Sequence, residues 1–162
     1  MALPLETPLP EPTPNPIRVV RVMPHTLVTG NEDYHLNNCS AATTMRQPFW
    51  DAAQLWTEVV VSDRATLSDG TIISVPDSVR WDIAHEVELA YQDSLATVSA
   101  MVHGSVMLAP PFTRWYVIVI WKDLTYSANV SFPSDGATAV AAYTYTQHVP
   151  EMGPIKTAPC TA

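Results

Sequence analysis

Five histidines, His25, His35, His85, His103 and His148, and two cysteines, Cys39 and Cys160, hold the widest chemical range in this chain. Their spacing argues against using most of it. A zinc protease needs His-Glu-x-x-His so that both imidazoles share one helical face, and here His85-Glu86-Val87-Glu88 runs into Leu89, which cannot ligate. Structural zinc needs ligands paired a few residues apart, which Cys39 and Cys160 are not. Cys39 becomes a nucleophile only with a base folded against it; His35 is the nearest in sequence, and an idle thiol is the expectation. With 5 glycines in 162 residues and no Gly-x-Ser-x-Gly or phosphate-loop pattern, hydrolase elbows and nucleotide cradles lack their material. No catalytic residue, metal or cofactor is expected.

The aromatic residues suggest binding instead. Trp50, Trp56, Trp81, Trp115 and Trp121, with six tyrosines, suit either a stacking platform for sugars or anchors in a protein interface. Trp81, Trp115 and Trp121 sit in apolar alternations and are assigned to core packing. Trp50 and Trp56, six apart beside a polar loop, are the candidate interface residues.

These residues need elements to hold them. A chain of 162 residues with 47% hydrophobic content is expected to fold as one domain with its own core. Its charge of −8, with Lys122 and Lys156 its only lysines, argues against wrapping nucleic acid. The longest strongly apolar run, 115–121, is far shorter than the roughly 20 residues of a membrane helix. The opening residues lack a basic region and are broken by prolines, so no export signal is expected, and the two cysteines are expected to stay free in a reducing compartment.

Pro4, Pro8, Pro10, Pro12, Pro14 and Pro16 make residues 1–16 an extended arm, since each proline removes a donor and holds its predecessor extended. Residues 17–149 read as a β-rich body. Within it 17–23 is a strand, 25–29 a short run closed by Gly30-Asn31, 31–48 a surface loop, and 49–56 a helical turn or two leading into a strand. Ser68-Asp69-Gly70 joins β-branched runs at 58–67 and 71–75, and Pro133-Ser134-Asp135-Gly136 joins 124–132 to 137–149. Both are hairpins. Residues 79–102 satisfy both a period of two and a period near 3.6. Because a helix strands Trp81 and Leu89 on its wet side, two strands turning near Gln92-Asp93-Ser94 are preferred, with His85 inward and Glu86 outward. Trp115 to Trp121 has two apolar faces and needs cover on both. Residues 150–162 read as a second extended tail.

The expected fold is therefore mainly β: an antiparallel β-sandwich or barrel-like body with extended N- and C-terminal arms and at most one or two helices. In overall character it resembles the capsid decoration (cement) proteins of tailed phages, small virion proteins whose arms clamp adjacent capsomers. That architectural likeness implies a structural role on the outer capsid surface of a virion, made in the host cytoplasm. The implied partners are a major capsid protein and further copies of the chain, a trimer suiting a capsomer junction. Nucleic acid and membrane are not expected partners. Pro8, Pro10, Pro12, Pro14 and Pro16, with Trp50 and Trp56, are the expected interface residues. The alternative is a β-sandwich adaptor or carbohydrate-binding module of a phage tail or fibre.

Overall fold

The computed structural model describes residues 16–40, 43–48, 55–104 and 106–160. These form nine strands and two helices: β1 (Arg18–Val19), β2 (His25–Asn38), β3 (Met45–Pro48), β4 (Trp56–Leu67), β5 (Ile72–Ser74), α1 (Asp77–Ala90), α2 (Gln92–Gly104), β6 (Val106–Ala109), β7 (Thr113–Ser134), β8 (Ala137–Met152) and β9 (Lys156–Pro159). The fold is mainly β and antiparallel, as the alternation predicts. One seven-stranded sheet runs in the order β1-β7-β8-β4-β5, with β2 and β9 also on β7, and β3 pairs with β6 in a small second sheet.

Both hairpins form. Gly70 closes the β4–β5 turn at φ 89°, where Asp69 Oδ1 accepts the Thr71 N–H at 2.9 Å; the Thr71 hydroxyl first, and this N–H after it, hold the Asp69 carboxyl below its ordinary pKa. In the β7–β8 turn Asp135 and Gly136 both take positive φ, the geometry whose twist matches that of paired strands.

The 22 residues of β7 build two cores on opposite faces of the sheet. Trp115, Val117, Val119 and Trp121 point to one face and pack with Leu36 and Ala109. Further along, Tyr126, Val130 and Phe132 point to the other and pack with Ala139, Ala141, Tyr143 and Tyr145 of β8 and with Ile83, Val87 and Tyr91. The other side of the 115–121 stretch, expected to be covered, is only partly so: Ile118 is 41% exposed.

Three expectations are corrected. Residues 79–102 are helical, not two strands. Ile83 and Val87 step by four into the core and Tyr91 follows them just past the end of α1, after Pro76 starts the helix, while Trp81 lies 77% exposed and His85 faces solvent. The apparent misfits were the exposed side of a real helix. Trp81 is accordingly not a core residue. Residues 31–38 and 45–48 are strand rather than loop, since β2 continues through a bulge near Gly30 to Asn38 and β3 spans Met45–Pro48. The polar residues of β2 hid an alternation in which Leu36 and Asn38 are buried and Asp33, His35 and Asn37 are exposed. The Asn38 amide nitrogen lies 2.8–3.0 Å from the carbonyls of Thr43, Ala109 and Pro110 and is bonded in its burial, while its Oδ1 is buried without a partner.

The third correction concerns the cysteines, which are joined in a disulfide. Asn38 and Pro159 both pair with Thr113, one from each flank of β7. Residues 39 and 160 therefore meet around the strand's end, where Phe112 N–H donates to Asn38 and Cys160 N–H to Phe112. Sequence distance carried no trace of this. The residues read as a C-terminal tail are extended but docked, in β8 to Met152 and then in β9. Between them Gly153 N–H donates to the Ile118 carbonyl at 2.9 Å, and a Cβ on Gly153 would stand 2.8 Å from that oxygen.

Four groups pin the segment after β1. Val22 N–H donates to Tyr91 Oη (3.2 Å), and the Tyr143 hydroxyl donates to the Val20 carbonyl. With its proton given to Val20, Tyr143 can only accept across the 2.7 Å contact, so Tyr91 donates to it. Burial pushes the Tyr143 and Tyr145 phenols above their ordinary pKa.

Two tests follow from this packing. Removing the disulfide by Cys39→Ser and Cys160→Ser should cost about 2–5 kcal/mol in denaturant unfolding, because it closes a long loop; an unchanged midpoint would show the bridge to be dispensable. A phenol whose folded pKa is raised gives stability that is complete below about pH 10, the unfolded value, and is lost as pH rises beyond it. The unfolding midpoint should thus hold from pH 7 to 9 and fall above about pH 10, less steeply in Tyr143→Phe.

Candidate functional site

Of the expected interface residues, Pro8, Pro10, Pro12, Pro14 and Trp50 lie outside the described residues. Pro16 is exposed where the described chain begins. Trp56 opens β4 and is 44% exposed.

Trp56 belongs to a cluster that crosses three strands. The ladder places Trp56 opposite His148 on β8, and His148 opposite Asp123 on β7. Paired residues share a sheet face, so the three form one row. The Trp56 ring stacks on the His148 imidazole at 5.3 Å and 9°, and Trp121 stacks on it at 5.0 Å and 8°. His148 Nδ1 sits 2.7 Å from Asp123 Oδ1. The imidazole is thus held parallel to two indoles by stacking and oriented by a carboxylate. The Trp121 indole N–H is buried without an acceptor.

An oriented Asp–His pair is two parts of a nucleophilic relay, which also needs a hydroxyl or thiol at the second ring nitrogen. The hydroxyls next along the ladder, Thr125 and Thr146, lie 3.3 Å from one another, within hydrogen-bond reach. The sheet carries the cluster as a strand clamp with one open aromatic end, a geometry suited to stacking contacts. Nothing in the sequence marks it, because its members come from three strands and meet only through register.

The opposite face offers a cleft of about 440 Å³ between the helices and the sheet, lined by Thr57, His85, Glu88, Gln92 and Tyr145 among others. His85 and Glu88 stand one turn apart on α1, so the histidine–glutamate segment lines a wall here and supplies no zinc pair. Beside Tyr145, buried Gln147 donates to its hydroxyl at 3.2 Å and leaves its own Oε1 unbonded.

The clamp makes a stability prediction. His148→Ala removes two ring stacks, each worth about 0.5–1.5 kcal/mol, so it should cost about 1–3 kcal/mol in denaturant unfolding. His148→Phe, which keeps the stacks and loses Asp123, should cost less; equal costs would assign the effect to the ion pair.

Compared with protein-family models, curated proteins and solved structures, the chain matches none.

Proposed function

We propose that the chain is a structural assembly subunit, a decoration protein on the outer surface of a virion capsid, joined to its shell by its proline-rich arm and the faces of its sheet. The observation that carries this reading is that the sheet is unfinished as a solitary surface. Among the described residues, β2 and the first half of β4 each pair on one side only. On the face shared with Trp56, exposed Val60, Val140 and Ala142 lie beside Ser127 and Asn129. Unpaired edges with apolar neighbours invite added protein. The acidic balance of the chain favours an outer position over a lining against nucleic acid. Decoration then works by mass action: a subunit that binds only the assembled shell raises its stability with occupancy.

Trp56 favours a second reading, a sugar-binding module of a tail or fibre, since an exposed indole braced by His148 is a ready stacking platform.

In particles from its native source, the chain should appear at a fixed ratio to one shell protein, and added full-length chain should raise the melting temperature of undecorated shells. Absence from the particle defeats the assembly reading. A glycan-array signal abolished by Trp56→Ala would move the function to the second.

A further inference from the structure

The two free edges are not alike. That of β2 carries the adjacent acids Glu32 and Asp33, which discourage strand addition, while an irregularity of register occurs in both strands, near Gly30 in β2 and after Val61 in β4. The edge of β4 from Trp56 to Ser62 reads Trp-Thr-Glu-Val-Val-Val-Ser, with no charge after Glu58. Val60 on it is 53% exposed. Beside this edge runs a groove of about 340 Å³, walled by Val59, Val60 and Val61 on one side and by Arg80, Trp81 and Ala84 of α1 on the other. Trp81, at 77% exposure, is the most open of the described tryptophans. Arg80 pairs with Asp77 through Nη2, and its Nε–H is buried with no acceptor.

Residues 1–15 lie outside the described structure, but their sequence settles which backbone donors exist. In a β-strand successive N–H groups point to opposite edges. Prolines at 8, 10, 12, 14 and 16 therefore strip one edge of donors, while Thr7, Leu9, Glu11, Thr13 and Asn15 keep theirs on the other. Such a strand pairs on one side and cannot template another.

We infer that the groove between β4 and α1 receives the segment Thr7–Pro16 of a second copy of this chain, paired through its donor edge to β4 and stacked by its prolines on Trp81. Aromatic-walled grooves recognise proline-rich segments because prolines lose little entropy on binding. The partly exposed Arg80 guanidinium on the groove wall supplies a charge complement for Glu11 of the incoming segment. The segment comes from a neighbour for a geometric reason. β1 lies across β7 and β8 from β4, so the vacant position outside β4 is four strand spacings, about 19 Å, from β1. Every residue from Thr7 to Pro16 is a proline or precedes one, which disfavours the reversal needed to cross that distance and then run along β4. The inference rests on the assembly reading and names one of its contacts. A head-to-tail exchange of this kind forms a closed ring when its rotation closes.

Sedimentation velocity of the full chain across a concentration series tests this. The wild type should self-associate, and the Leu9→Pro/Thr13→Pro pair, which deletes two donors, should weaken association about tenfold, as should Trp81→Ala. Pro10→Ala/Pro12→Ala restores donors only on the blocked edge and should stay within about twofold of wild type. An unchanged far-ultraviolet circular dichroism spectrum and a cooperative unfolding transition confirm that each variant body is folded. A wild type that stays monomeric, or donor-edge and Trp81 variants that associate normally, overturn the inference. So does concentration-independent hydrogen-exchange protection of those amides in Val59–Val61 that face away from β8, the mark of a chain filling its own groove. A chain that decorates its particle yet never binds its own kind overturns this contact and leaves the assembly reading intact.

Discussion

Strict alternation along β7 is the constraint on which the rest of the molecule depends. Side chains from Trp115 to Trp121 enter one core at odd positions, and those from Tyr126 to Phe132 enter the other at even positions. Because a β-strand turns successive residues to opposite faces, one continuous strand can do this only if the sheet is covered on different sides at its two ends. A slip of one residue against β8 would expose both cores together, so each hydrophobic set enforces the register of the other. Leu124 and Lys122 lie between the two, on the face that passes from partial exposure to cover by the helices.

The sequence made the strongest local signals legible and obscured those that depend on distant partners. Hairpins at Ser68-Asp69-Gly70 and Ser134-Asp135-Gly136 are specified by residues that tolerate positive φ, and the seven residues from Trp115 admit little but a strand. The 79–102 segment was ambiguous because Val79, Ile83 and Val87 satisfy both periods; only the sheet beneath them, with small Ala139 and Ala141 leaving room for a helix, decides the matter. β2 was hidden by its own polarity. A strand at an edge buries few residues, and one of those is Asn38, whose amide replaces apolar contact with bonds to carbonyls. The Trp56–His148–Trp121 stack and the Cys39–Cys160 bridge are products of register across β7, and no local window contains them.

The charge of the molecule and its free surfaces are related. Adjacent acids stand in the second half of β2, whereas the edge of β4 has three valines in a row after its one acid, Glu58, so the two edges differ in how openly they invite another strand. α1 contributes to both sides of this division. Its inner residues seal the core under the sheet, and its outer residues, Arg80 and Trp81, border the exposed edge. A helix that at first looks poorly amphipathic is better understood as one with two apolar surfaces, one for the fold and one turned outward.

The disulfide also decides how the molecule bears a load. It links Cys39 to Cys160 and so encloses residues 39–160 in a covalent ring, with 38 residues before it and 2 after it. Tension that reaches the two cysteines passes through sulfur, so the strands and helices between them are shielded from the force, while β1 and β2 lie outside the ring and can be peeled from it, Leu36 leaving its core as they go.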